Sequence, residues 1–148
     1  MSFPKLVRGA KTPVRVIINS EAVNEFGERT IILDKFFLCN YQESSATKYS
    51  ANKQHTEVTG TVFIDGDILE SLGIENLNFG ITKTGVLTMV GAQVDERGVL
   101  SCSDDEEGES NLIVSGQIVI FGTRRNIIRG TKARNFDGSV NYTRLDVV

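Results

Sequence analysis

Residues 118–148 read IVIFGTRRNIIRGTKARNFDGSVNYTRLDVV, and their pattern decides the fold class. An apolar run over 118–121 reaches Gly122. A basic run follows, carrying Arg124, Arg125, Arg129, Lys132 and Arg134 with no acid between 123 and 136. Asp137-Gly138 separates this run from a second strand-like stretch that ends at Val148. Asp-Gly between two such stretches predicts a hairpin, because glycine takes a positive φ without steric cost. The C-terminal region is therefore expected to be a β-ribbon with an unusual load of positive charge. If 123–136 is a strand, alternation puts Lys132 and Arg134 on one face and Arg125 and Arg129 on the other.

Working outward, the same grammar repeats. Residues 112–121 read as a central apolar strand. GVLTMVGAQV (85–94) is the best strand of the region 77–94, DERG (95–98) turns it, and 99–100 begin the return. VTGTVFI (58–64) is a strand with Gly60 as a bulge or close-approach point. The Asp65-Gly66-Asp67 triplet is a tight turn, and 68–74 form one helical turn or a loop closing a barrel end. TIIL (30–33) and KFFLCNY (35–41) make one long strand or two bent ones, rich in β-branched and aromatic residues. PVRVIIN (13–19) alternates, and the turn-rich SEAVNEFGER (20–29) is expected to be a hairpin loop. The sum is eight to ten strands and at most one short helix. That pattern predicts an all-β chain, a small β-barrel with long loops and an extended N-terminal arm over 1–12.

Composition narrows the classes. The 148 residues suit one domain over 13–148, and a chain of that length buries roughly 68–70% of its unfolded surface. The net charge of −3 gives no bulk electrostatic case for nucleic acid or an anionic membrane. No apolar run approaches the roughly 20 residues that span a bilayer. MSFPKLVRGAKTP has no h-region and does not read as a secretory signal. Cys39 and Cys102 lack a CxxC partner and read as reduced thiols of a protein made in the cytoplasm.

Three segments stand apart by charge or polarity. The arm holds Lys5, Arg8 and Lys11 and no acid, which suits contact with a neighbouring subunit or a polyanion. QESSATKYSANKQHT (42–56) is polar throughout and reads as a loop or an exposed ribbon tip, with Lys48, Tyr49, Lys53 and His55 as its contact residues. SDDEEGES (103–110) places Asp104, Asp105, Glu106 and Glu107 in one solvated acidic tip, available to a basic partner surface.

No catalytic constellation is visible. His55 is the one histidine, and nothing in the sequence ties a serine, cysteine or aspartate to it as a triad requires. Two distant cysteines and one histidine do not make a zinc set. The calcium loop pattern and the phosphate-loop glycine motifs are absent. No cofactor or metal is expected, and the expectation is a protein that is not an enzyme. A nucleic-acid module of the OB type is the more serious rival, but the charge of 123–136 is spread over two faces. Only Phe136 and Tyr142 are there to stack on bases.

Two stretches resemble the small neck proteins of tailed bacteriophages, the head-closure or stopper proteins often labelled minor capsid proteins. VTGTVFIDGDI (58–68) is similar in its strand ending in a Gly-Asp turn. IIRGTKARNFDGSVNYTRLDVV (127–148) is similar in its strand pair around K-A-R-N-x-D-G-x-V-N-Y-T. Against that pattern, 76–111 reads as a β insertion. The resemblance implies a ring homo-oligomer, six- or twelve-fold, beneath the portal and its adaptor protein. Such a ring closes the DNA exit channel after packaging and docks a tail terminator or tail tube protein. It implies a virion location, no membrane partner, and non-specific lumen contacts with packaged DNA at most. The 42–56 segment would project into the channel or onto a neighbour. Lys5, Arg8, Lys11, the acidic tip, Arg129, Lys132 and Arg134 would serve subunit or lumen contacts. A tail-joining protein and an unrecognised hydrolase complete the alternatives.

Overall fold

A computed structural model describes residues 12–50, 53–74, 77–95, 97–102 and 111–148, with the backbone alone at 22, 44–50, 53–58, 102 and 111. Ten strands and one short 3₁₀ turn follow in order. They are β1 (Thr12–Val23), β2 (Arg29–Ser50), β3 (Lys53–Asp65), the 3₁₀ turn (Glu70–Leu72), β4 (Asn78–Ile81), β5 (Leu87–Val90), β6 (Ala92–Val94), β7 (Leu100–Cys102), β8 (Asn111–Ile120), β9 (Thr123–Arg134) and β10 (Val140–Val147). The order β1-β2-β3-β10-β9-β8 is closed by β8 pairing back onto β1, so six antiparallel strands form a barrel. The expected all-β barrel is therefore the fold.

Alternation builds the interior. Val14, Val16 and Ile18 on β1, Val62 and Ile64 on β3, and Leu145 and Val147 on β10 are each at most 2% exposed. Val114, Ile118 and Ile120 of β8 and Ile127 of β9 complete the lining. Burying each such side chain contributes about 1.5–3 kcal/mol relative to exposure. A barrel this narrow is filled by its own side chains, so nothing passes through it.

The two barrel ends differ. One is plugged. After β3, Gly66 (φ 78°) turns the chain and Asp67 Oδ1 accepts the Leu69 N–H at 2.9 Å, so the Asp-Gly-Asp triplet is the tight turn its composition suggests. Ile68 and Leu69, each 1% exposed, then seat in the barrel. The buried Thr143 hydroxyl donates to Gly66 O at 2.7 Å and holds the plug to β10. At the other end, β2 and β3 run on together past the barrel. β10 leaves β3 at Gly60, and beyond the Glu43–Gly60 pair the two strands pair only with each other, to Ser50–Lys53.

Of the two readings of 42–56, a loop or an exposed ribbon tip, the described backbone takes the second. It is a ribbon, because two adjacent strands with matched register satisfy each other's backbone groups even without an apolar face. The TIIL and KFFLCNY runs are one strand, bent where Ile32 and Leu33 both turn inward at a register shift. Described residues of 76–111, the region expected as a β insertion, pack into the barrel's own core. Leu77, Leu87, Met89 and Ala92 belong to the core, and the Phe79 ring lies where a Cβ on Gly130 would sit, 2.6 Å away. GVLTMVGAQV is two strands, because Gly91 at φ 89° breaks it into β5 and β6. Arm residues Lys5, Arg8 and Lys11 and acids Asp104, Asp105, Glu106 and Glu107 lie outside the described residues.

Candidate functional site

The β9–β10 hairpin forms as the Asp-Gly signal predicts. Gly138 stands at φ 88°, and the Asp137 carboxylate accepts the Ser139 hydroxyl and its N–H at 2.5 and 2.9 Å. Those hydrogen bonds hold the Asp137 carboxyl below the usual range. The basic run does not sit as simple alternation would have it. Val147 pairs with Ile127 and Asp146 with Arg129, leaving Ile128 as an extra residue that reverses the alternation. Arg125 consequently faces inward and Arg129 outward.

Lys132 also faces inward. Its side chain is 5% exposed, and the ammonium donates to Asp67 Oδ2 at 2.9 Å and to the Leu77 carbonyl. The Lys132 expected at a subunit or lumen surface is instead a strut between the plug and the chain entering β4. The physical reason is its register opposite buried Thr143. Arg134 is exposed, donating to Gly138 O at 2.9 Å and lying 3.4 Å from Asn78 Oδ1. Arg129 makes no ion pair with a described residue. Of the three β9 cations expected to make contacts, the fold leaves Arg129 and Arg134 at the surface.

The ribbon end carries the most distinctive geometry. β8 and β9 are joined by the two-residue turn Phe121-Gly122, with φ 50° and 74°. Positive φ at both positions is the primed hairpin turn, and for phenylalanine it is a strained conformation. The Phe121 ring, 77% exposed, meets Tyr41 edge-on at 6.2 Å. Tyr41 in turn lies over Gly60, where a Cβ would stand 2.5 Å from its hydroxyl, so the close approach expected at Gly60 is real.

Beside them Arg125 Nη2 donates to Glu43 Oε1 at 2.5 Å. Tyr41, Glu43, Ile120, Phe121, Thr123 and Arg125 line a cavity of about 210 Å³ at the root of the ribbon. Burial pushes the Tyr41 phenol above its ordinary value, opposed by the Arg125 cation and aided by Glu43. Its hydroxyl has no partner among the described residues. Sequence reasoning did not single out Tyr41, Phe121 or Glu43, since their meeting depends on closure of the barrel.

The ribbon holds the four residues expected to make contacts. Lys48 pairs with His55, Tyr49 with Gln54 and Ser50 with Lys53 across its last rungs. Seven residue pairs beyond Glu43–Gly60, at roughly 3.3 Å per residue, give a reach of about 23 Å from the barrel. Among the described residues no group of three His, Cys, Asp or Glu side chains is placed to hold a metal ion. No described helix is long and apolar enough to cross a membrane. No family model, curated protein or solved structure matches the chain.

Proposed function

We propose that this chain is a structural, non-enzymatic protein of a tailed-phage neck. In this reading it assembles as a ring beneath the portal and its adaptor, closes the DNA exit channel after packaging and offers a docking surface to the tail. The observation that carries the reading is the β2–β3 ribbon, whose strands continue past a filled, plugged barrel paired only with each other. A two-stranded ribbon alone is marginal in water. Such an element gains its order by lying on another molecule, and in a ring it can reach a neighbour or the lumen. The filled interior means that a channel would lie between subunits and not through a barrel. Exposed Arg129 and Arg134 suit subunit contacts or sequence-independent phosphate contacts in such a lumen.

The test uses a phage that encodes the chain. Particles assembled without it should package DNA, lose it and fail to join tails, and supplying the intact chain should restore both. Density from the restored neck should place the ring between the portal adaptor and the tail. A ring found at the upper end of free tails would assign it as a tail terminator instead. Particles that keep their DNA and accept tails without the chain would overturn the neck reading. Tight, salt-sensitive binding of a short single strand by the purified protein would favour a nucleic-acid module.

A further inference from the structure

A ring subunit needs two different faces that fit each other, and the barrel presents one such pair on opposite sides. β2 and β9 are three strands apart either way round the closed order of six, so they lie diametrically opposed. The outward face of β2 carries Ile31, Phe36 and Leu38, exposed by 63%, 71% and 59%. Phe36 and Leu38 are neighbours on that face, and the Arg15–Asp34 ion pair separates them from Ile31; adjacent exposed apolar side chains of this size suit a contact surface. Nothing among the described residues covers Phe36. By contrast, Phe63 on neighbouring β3 is screened by Tyr142 edge-on at 5.8 Å and by Arg144 at 5.8 Å.

Charge distinguishes the two faces. The β1–β2 hairpin bears Glu25 and Glu28, both exposed, at the plugged end beside Ile31, and Glu21, which pairs with Arg29 at 3.3 Å. The outward face of β9 bears Arg124 and Arg129 with Ile128, which is 42% exposed, and Arg134 is exposed at the plugged end of the strand. Arg129 makes no ion pair with a described residue, since Asp146 opposite it on β10 is held by Arg144 and Thr61.

The levels match as well. Following paired residues one way round the barrel leads from Phe36 through Arg15 and Val119 to Arg124. The other way leads from Cys39 through Ile64 and Thr143 to Lys132. The two routes bracket a stretch of β9 centred on Ile128 and Arg129. Phe36 and Leu38 thus stand at the height of Ile128 and Arg129 on the far side.

We propose that copies of this chain associate head to tail, with the Ile31–Phe36–Leu38 face of one against the Ile128–Arg129 face of the next. The inference rests on the ring reading above and names the surfaces that would build the ring. The hairpin acids then lie toward Arg134 at the plugged end, while the ribbons of successive copies all leave from the other end. Contacts between unlike, nearly opposite faces generate rings of many subunits where the rotation closes.

The purified full chain tests this by sedimentation and chemical cross-linking. Phe36→Glu/Leu38→Glu should be monomeric, and so should Ile128→Glu/Arg129→Glu, each still unfolding cooperatively because all four sites are exposed. Mixed together, the two variants should form one-to-one dimers and nothing larger, since each retains one good face. A Leu38→Cys/Ile128→Cys variant should form a ladder of interchain disulfides on oxidation that neither single variant forms. Should either face variant unfold, the cysteine ladder alone decides. Assembly that survives both variants without the ladder would overturn these faces while leaving a ring intact. A parent chain that stays monomeric at its solubility limit would overturn the self-association proposed here, whereas tail joining in particles tests the neck reading independently.

Discussion

Single residues show how this fold uses charge. Lys132 is the clearest case, because its ammonium joins the plug at Asp67 to the carbonyl of Leu77. Replacing it with Met leaves a carboxylate only 22% exposed and a carbonyl without their donor. That loss is expected to cost about 2 kcal/mol, between the values for surface and buried pairs. It should lower the melting temperature by roughly 4–8 °C in a scanning calorimeter. Asp67→Asn, which keeps a polar partner for the amine, should cost less.

Arg15 and Asp34 make a different kind of pair, exposed and two-pronged at 2.7 and 2.6 Å. The Arg15 hydrogen bonds hold the Asp34 carboxyl below the ordinary carboxylate value. A carboxylate whose folded value is depressed contributes its stability above the unfolded value and loses it as pH falls through the folded one. Carbon-detected NMR titration should find Asp34 protonating below the usual range, with Arg15→Ala returning it upward.

At the scale of elements, the ribbon and the barrel are separable by their pairing. Beyond Glu43–Gly60 the ribbon backbone bonds to no other strand. Replacing 44–59 with an Asn-Gly turn should leave a folded barrel, its stability to urea changed by about 1 kcal/mol or less, because the turn restores a closed hairpin. The same shortened chain should fail to support DNA retention and tail joining under the neck reading. A barrel that collapses on shortening would show that the ribbon is structural.

Much of the element list was legible beforehand. The β9–β10 turn, the Asn24–Glu28 turn and the DERG turn all follow from short-range chemistry. In the last, Asp95 accepts the Arg97 and Val99 N–H groups. The bulge at Ile128 was not legible, because a one-residue register shift depends on the strand opposite. Its consequence is large. It sends Arg125 inward to Glu43 and Arg129 outward, and divides a basic run that looks uniform in sequence.

For the molecule as a whole, closure of β8 onto β1 joins residues about a hundred apart in the chain, as Ile17 and Gln117 illustrate. Such non-local pairing predicts folding on the millisecond-to-second scale. The described strands β4 and β5 extend the sheet beyond β8, and their side chains enter the same core. Excising 78–110 would remove Leu87, Met89 and Ala92 from the core and expose Gly116 and Gly130, against which Leu87 and Phe79 pack. The excised chain is expected to lose cooperative unfolding, since deleting several buried apolar side chains at about 2–5 kcal/mol each exceeds a typical domain's stability. A sharp thermal transition in the excised chain would show the barrel to be self-sufficient.

The sequence by itself determined the all-β class, the turns and the apolar faces, because these depend on alternation and on glycine and aspartate chemistry within a few residues. Only the tertiary structure decided which cations remain free, where the ribbon begins and which faces oppose each other. Those properties depend on register around a closed sheet, and register is set jointly by six strands far apart in sequence. The C-terminal ribbon is accordingly not one basic surface. Lys132 ties the plug, Arg125 pairs at the mouth, and Arg129 is left outward opposite Phe36 and Leu38.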